Sequence, residues 1–395
     1  MRISRDKRSP LERIEVIDAV RGFALFGLFL VHCVELFELY WANPTPSDLH
    51  DGVMFLFSGK SFALFGLSFG VSFSIIMRRA QARGEAYQGR FLWRLALLVL
   101  FGLFHSLFYR GDILVILAVF GGSLLILDRI KSASALFALA GFFILNPLLI
   151  WRVLAAMNGA EWAVQMPHFY HDPGMPFLLN GTFLEAVRAS FIDGNIHKTW
   201  FYFESGRMSQ ILGLFAAGLA LGRIHFFERQ GAQFMRVLSM ILIVCGGVAW
   251  AIFFLRAQWL AALPQVDGDF TSAYLGMLLK GWGDVAFMAA QLAGFLLAWH
   301  MGAHRVLHWL AAPGRMTLSL YIGQSLVFVP LLYGFGLGLY DEVSQSQMVW
   351  IGVAASIVQI IGASLWMRSY RYGPFEWVWR VLTKLSLDVP LRIRA

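Results

Sequence analysis

Apolar runs of about twenty residues recur along the whole chain, and no other feature limits the fold as tightly. A run of that length crosses the hydrocarbon core of a bilayer as a helix. Inside lipid every backbone N–H and C=O must be satisfied within the protein, which leaves helices or closed barrels. The runs are unbroken and lack the two-residue alternation of a barrel strand, so the chain reads as an all-α, polytopic membrane protein. Composition agrees. Of 395 residues 58% are hydrophobic and 14% charged, with a mean hydropathy of +0.64, whereas a soluble domain carries about 25% charged residues.

Ten spans are expected, at about 16–40, 52–77, 91–109, 111–128, 133–151, 207–224, 234–256, 282–301, 314–334 and 347–369. They form one integral membrane domain over 1–395. A first helical half covers 14–151, a loop covers 152–206, and a second half covers 207–384. The loop is rich in aromatics and holds a helical stretch, TFLEAVRASFI, so it is expected to fold over one face. The tail RYGPFEWVWRVLTK mixes Trp, Phe and Arg in the manner of an interfacial helix.

The net charge of +8 does not point to nucleic acid, because the cations sit in short connections between apolar runs. Arg2, Arg5, Lys7, Arg8 and Arg13, then Arg78, Arg79, Arg83 and Arg90, then Arg129 and Lys131 share one side. Arg223, Arg229, Arg236, Arg305, Arg315 and the tail, including Arg394, continue that side. Outside the long loop the other side holds only Arg110, Arg256 and Lys280. Both termini are therefore expected in the cytoplasm. The basic amino terminus lacks a small-residue cleavage site and reads as a retained first span. Cys33 and Cys245 lie in apolar runs and suggest neither a disulfide framework nor zinc. His300, His304 and His308 repeat at four-residue spacing but straddle a span end beside Arg305, so no metal site is expected.

Ionisable residues inside spans are functional candidates. Arg21 and His32 lie eleven residues apart in the first span, and Arg94 and His105 likewise in the third. Eleven residues is about three turns, so each pair shares a helix face about 16 Å apart in depth. Lys60 enters the second span by about 12 Å, where an ammonium needs a partner or a ligand. Asp18 accompanies the arginines; Glu35, Glu38, Asp51 and Asp112 accompany the histidines. Simpler roles compete at each position: snorkelling for the arginines, a satisfied core histidine for His105, and a helix cap for Asp112. Gly66–Gly70 and Gly218–Gly222 carry the small-xxx-small spacing of close helix packing. No phosphate loop, HExxH or dinucleotide fingerprint is present.

The motifs VIDAVRGFALFGLFLVH, GKSFALFGLSFG, GLFHSLFYRGDIL, GRMTLSLYIGQSL and RYGPFEWVWRVLT occur in this order. Together they resemble the YeiB-like membrane proteins, whose carboxyl-terminal half is a domain of unknown function. The resemblance covers nearly the whole chain and implies kinship with the transmembrane acyltransferases, among them heparan-α-glucosaminide N-acetyltransferase. It implies a bundle of about ten or eleven helices, sometimes a homodimer, in the bacterial inner (cytoplasmic) membrane. Such enzymes move an acyl group, commonly acetyl, from cytoplasmic acyl-CoA to a small-molecule or glycan acceptor at the far face. On this reading His105 is the general base, oriented by Asp112 or Asp51. Arg21 and Arg94 meet the phosphates of CoA, with Asp18 and Gln324 completing the donor site. Lys60 lines the pantetheine path or stabilises an oxyanion. His32 stands where the family usually has asparagine. His50 lies roughly where the heparan enzyme keeps its catalytic histidine, without matching flanks. The same column would equally serve a transporter of a small anion, or a sensory protein without turnover, although no inverted repeat is visible.

Overall fold

A computed structural model describes residues 14–45, 47–263 and 268–393. The basic residues at positions 2, 5, 7, 8, 13 and 394 lie outside the described residues. The principal helices are α1 (Glu15–Val34), α2 (Asp48–Phe57), α3 (Lys60–Ala82), α4 (Gln88–Ser106), α5 (Leu114–Leu127) and α6 (Ala133–Leu145). They continue as α7 (Pro147–Met157), α8 (Gly194–Glu204), α9 (Arg207–Arg223), α10 (Ala232–Ala261) and α11 (Thr271–Ala298). The last three are α12 (Thr317–Leu332), α13 (Gln345–Ser369) and α14 (Pro374–Lys384). Among the described residues there is no strand, only an isolated bridge between Tyr370 and Arg392.

Among the described residues, seven helical segments are long and apolar enough to cross a membrane. The other three expected spans are helical but shorter: 114–127, 207–223 and 317–332. Breaks account for several shifted boundaries. The second run divides at Ser58 and Gly59, where φ is +77°, into α2 and α3. The fifth divides at left-handed Asn146 before Pro147, which cannot extend a helix backwards into a preceding turn. The eighth begins at Thr271, eleven residues before the expected 282, because Lys280 and Asp284 satisfy each other inside it and mask their polarity. The first helix stops at Val34 rather than near 40. Leu36, Phe37 and Glu38 then take positive φ in succession, a costly turn for side chains with a Cβ.

The chain packs as lipid-facing proteins do. α10 buries only Phe234, Leu238 and Ala249, while Ile243 and Trp250 are 73% and 64% exposed. That much apolar surface suits hydrocarbon rather than water. α1, by contrast, is buried on most sides and forms the centre of the bundle. α3 and α9 meet through the two glycine motifs. A Cβ on Gly70 would lie 2.5 Å from the Phe215 carbonyl oxygen, and one on Gly218 would lie 2.1 Å from that of Leu67. Without hydrophobic attraction between helices in lipid, such backbone approach supplies the dispersion that holds them. The described start of the chain and the tail helix α14 lie at the same end, since Ile14 and Trp379 line one cavity.

Gly218→Leu forces α3 and α9 apart, and overpacking of this kind costs about 1–3 kcal/mol. The expected outcome is a lower thermal midpoint in mild detergent, with Gly89→Ala, at an open position near the start of α4, shifting it much less.

Candidate functional site

α4 ends at Ser106, and a short turn of Tyr109, Arg110, Gly111 and Asp112 leads into α5. The first amide groups of a helix lack intrahelical acceptors, and Asp112 supplies one: its Oδ2 accepts from Val115 N–H at 3.1 Å. Its other oxygen, Oδ1, lies 2.8 Å from His105 Nδ1. Both side chains are fully buried. The cap and the orienting partner are thus one carboxylate. With an ionised carboxylate, which only accepts, Nδ1 is the donor, and in a neutral imidazole the lone pair then falls on Nε2. Nε2 is buried and has no hydrogen-bond partner. A histidine fixed at one nitrogen and bare at the other is the geometry of a general base.

Aromatic rings enclose it. Tyr321 of α12 lies 4.9 Å from the His105 ring and Tyr109 lies 5.6 Å away, centroid to centroid. His32 stands on the other side of the same rings, 5.2 Å from Tyr109 and 6.2 Å from Tyr321. Ile113 N–H donates to the Tyr321 hydroxyl at 3.2 Å. The long loop covers this end: Arg110 pairs with its Asp172 at 2.7 Å and with Glu38 at 3.4 Å. Glu38 also accepts from the Tyr109 hydroxyl, so the strained turn at 36–38 is held from two sides. On α8, Gly194 packs on Arg110, and Tyr202 lies in the core beside Ile113 and Tyr321. Lys198 falls midway on that face, 6% exposed, with no partner for Nζ. Burial holds its ammonium below the usual lysine range.

A cavity of about 540 Å³ opens at the opposite end of the bundle, within the about 300–1,000 Å³ of small-molecule sites. Arg21, Arg79, Arg94, Arg315, Arg371 and Arg380 line it against two carboxylates, Asp18 and Glu376. Gly22 lets the chain at Leu310 approach α1 there, since a Cβ would lie 2.1 Å from the Leu310 carbonyl oxygen. Arg21 donates to Thr317 Oγ1 at 2.8 Å and pairs with Asp18 at 3.8 Å. The Arg94 guanidinium lies 4.3 Å from the ring centroid of Trp379, whose Nε1 donates to the Arg94 carbonyl. Glu376 caps α12 by accepting from Leu318 and Ser319 N–H, although burial raises its pKa. Beyond the arginines the walls become apolar and reach Leu28, Leu98, Ile113, Leu114 and Tyr321. The cavity therefore runs from an anion-attracting mouth to the residues flanking the His105–Asp112 pair.

The sequence candidates separate into groups. Arg21, Arg94 and Asp18 share the cavity wall, and His105, Asp112 and His32 share the buried aromatic cluster. Lys60 lies in neither. Its Nζ is 2.7 Å from Asp284 Oδ1, while Lys280 takes the other oxygen at 2.8 Å. His50 stacks on Tyr40 at 4.5 Å and meets Asp51, so Asp51 serves His50 and not His105. Gln324 donates to Gln359 at 2.9 Å and is absent from the cavity wall. Tyr321, Lys198, Arg371 and Arg380 were not singled out for the site. Tyr321 hides in an apolar run, while the tail arginines read only as membrane-surface cations. No group of His, Cys, Asp and Glu among the described residues could hold a metal.

Residues 13–187 match the heparan-alpha-glucosaminide N-acetyltransferase catalytic family, and 221–386 match the protein family of unknown function DUF418. The chain resembles the YeiB-like proteins. It is 27% identical over 403 residues to the uncharacterized protein YxaH of Bacillus subtilis (strain 168), covering 95% of each chain. An uncharacterized 39.9 kDa protein in the amylase 3'region of Bacillus acidopullulyticus is 27% identical, with 94% of each chain covered. YeiB of Escherichia coli (strain K12), also uncharacterized, is 25% identical over 94% of this chain and 97% of its own. The acetyltransferase match spans α1 to α7 and so contains His32, His105 and Asp112. The chain is a multi-pass membrane protein similar to the YeiB-like proteins, and its amino-terminal part resembles the acetyltransferase catalytic family.

Lys60→Met leaves Asp284 with only the half-exposed Lys280, and breaking a buried pair costs about 3–5 kcal/mol. Lys60→Met with Asp284→Leu is expected to recover most of that loss. A double-mutant cycle of thermal midpoints checks the coupling.

Proposed function

We propose that this protein transfers an acyl group, most simply acetyl, from acyl-CoA entering the arginine-lined cavity to an acceptor at the His105 end. The observation that carries the reading is a cavity that runs from a cationic mouth to Ile113, Leu114 and Tyr321, which flank the His105–Asp112 pair. CoA presents a 3′-phosphate and a pyrophosphate, which guanidinium groups bind in forked geometry. Its pantetheine arm would lie along Leu28, Leu98 and Leu114, bringing the thioester to Tyr321. The excess of cations over carboxylates at the mouth favours that polyanion over a neutral donor.

The acceptor hydroxyl or amine attacks the thioester carbon while His105 Nε2 takes its proton. A C–O or C–N bond forms, the C–S bond breaks, and the proton passes from Nε2 to the departing thiolate. Asp112 holds the imidazole in the required tautomer and stabilises the imidazolium between the two steps. Tyr321 accepts from Ile113 N–H and keeps its own O–H to donate to the developing oxyanion. His32, across the same rings, positions Tyr109 and Tyr321. In this reading the cavity mouth and both termini face the cytoplasm and the chain crosses a bacterial inner membrane ten times, a topology that the basic connections support. The acceptor then reaches His105 from beneath the 152–206 loop.

The test uses the full chain in proteoliposomes with radiolabelled acetyl-CoA and a membrane lipid and glycan extract as acceptor. Wild type is expected to bind acetyl-CoA and release CoA thiol. Arg94→Ala with Arg380→Ala should weaken binding and flatten its salt dependence. His105→Ala should keep binding and lose turnover by about 10²–10⁴-fold. Absence of binding, or thiol release unchanged in His105→Ala, overturns the reading. Uptake of a small anion without thiol release would favour transport through the same column.

A further inference from the structure

Three basic residues break the charge asymmetry of the connections: Arg110, Arg256 and Lys280. Arg110 is satisfied by Glu38 and Asp172. Arg256 and Lys280 are not accounted for by the transfer reaction, and they line one cleft. It lies between the end of α10 and the beginning of α11, under Tyr170 of the long loop, and has a volume of about 480 Å³. Ser272, Gly276 and Lys280 recur at four-residue spacing and so share one face of α11. The Arg256 guanidinium lies across Gly276, whose Cβ, if present, would stand 3.4 Å from Nη2.

The charges in this cleft do not balance. Asp284 is shared by Lys60 and Lys280, one oxygen each. Arg256 makes no hydrogen bond or ion pair among the described residues, and its Nε is buried without a partner. No carboxylate among the described residues lines the cleft. A guanidinium buried at Nε and facing no anion among the described residues calls for an anion from outside.

The other walls say what carries that anion. Leu260, Ala261, Ala273 and Met277 form an apolar side. The cleft is cut into a helix hairpin whose outer surface, at Phe253, Phe254 and Trp259, is exposed and apolar. Arg256 is five residues from the end of α10, about 8 Å along the axis, which is headgroup depth rather than bulk water.

We propose that this cleft binds the phosphate headgroup of an anionic lipid from the leaflet at the His105 end. Arg256 and Lys280 hold the phosphate, Ser272 adds a hydroxyl, and an acyl chain lies along Leu260 and Met277. The site does not depend on the acyl-transfer reading.

The full chain is reconstituted in nanodiscs of phosphatidylcholine containing either phosphatidylglycerol or no anionic lipid, and retained lipid is counted by native mass spectrometry. Phosphatidylglycerol should be retained roughly tenfold over phosphatidylcholine, as expected for two cations at a headgroup. Arg256→Gln should bring the two to parity while His105-dependent thiol release and the thermal midpoint in phosphatidylcholine stay unchanged. Equal retention of both lipids by wild type, or preference surviving in Arg256→Gln, overturns the proposal. Displacement of phosphatidylglycerol by millimolar glycerol phosphate or inorganic phosphate also overturns it, by marking a site for soluble anions. Should Arg256→Gln fail to fold, the wild-type lipid comparison and the displacement arm decide.

Discussion

A carboxylate buried in an apolar bundle must spend both oxygens on protein partners, and Asp112 does so. One oxygen starts α5 and the other fixes His105. Removing the carboxylate would free a helix terminus and release the histidine at once. The turn that carries it is pinned in turn by Arg110, whose two acidic partners come from the strained segment after α1 and from the long loop. Three stretches far apart in sequence therefore meet on one charge network. The bare Nε2 of His105 is the only part of the pair left without a protein partner.

At the other end the logic is reversed. Arginines crowd the cavity mouth, and their repulsion is eased by Thr317, by the Asp18 carboxylate and by the face of Trp379. Cations gathered around an open volume raise the local concentration of anions there. The helix α14 contributes to both tasks, capping α12 through Glu376 while laying Trp379 against Arg94.

Depth along a helix was readable from the sequence, because rise per residue is constant. That is why Arg21 with Arg94, and His32 with His105, could be grouped by level. Direction around the helix was not readable where partners are remote. Lys60 stands at a suitable depth, yet its carboxylate arrives from Asp284 on another helix and draws it out of the column. Gln324 is claimed by Gln359 in the same way. Tyr321 carries no charge to betray it among apolar neighbours. Helix ends were misread where backbone rather than composition decides, as at Gly59, Asn146 and the turn at 36–38.

Synthesis gives the docking of Trp379 on Arg94 a temporal meaning. The two residues are separated by 285 positions, so the helix bearing Arg94 is made and inserted long before its cover emerges. Until then the arginine-lined hollow lacks a wall. A nascent chain therefore lacks the closed hollow, and the bundle completes it in a single late step rather than by degrees.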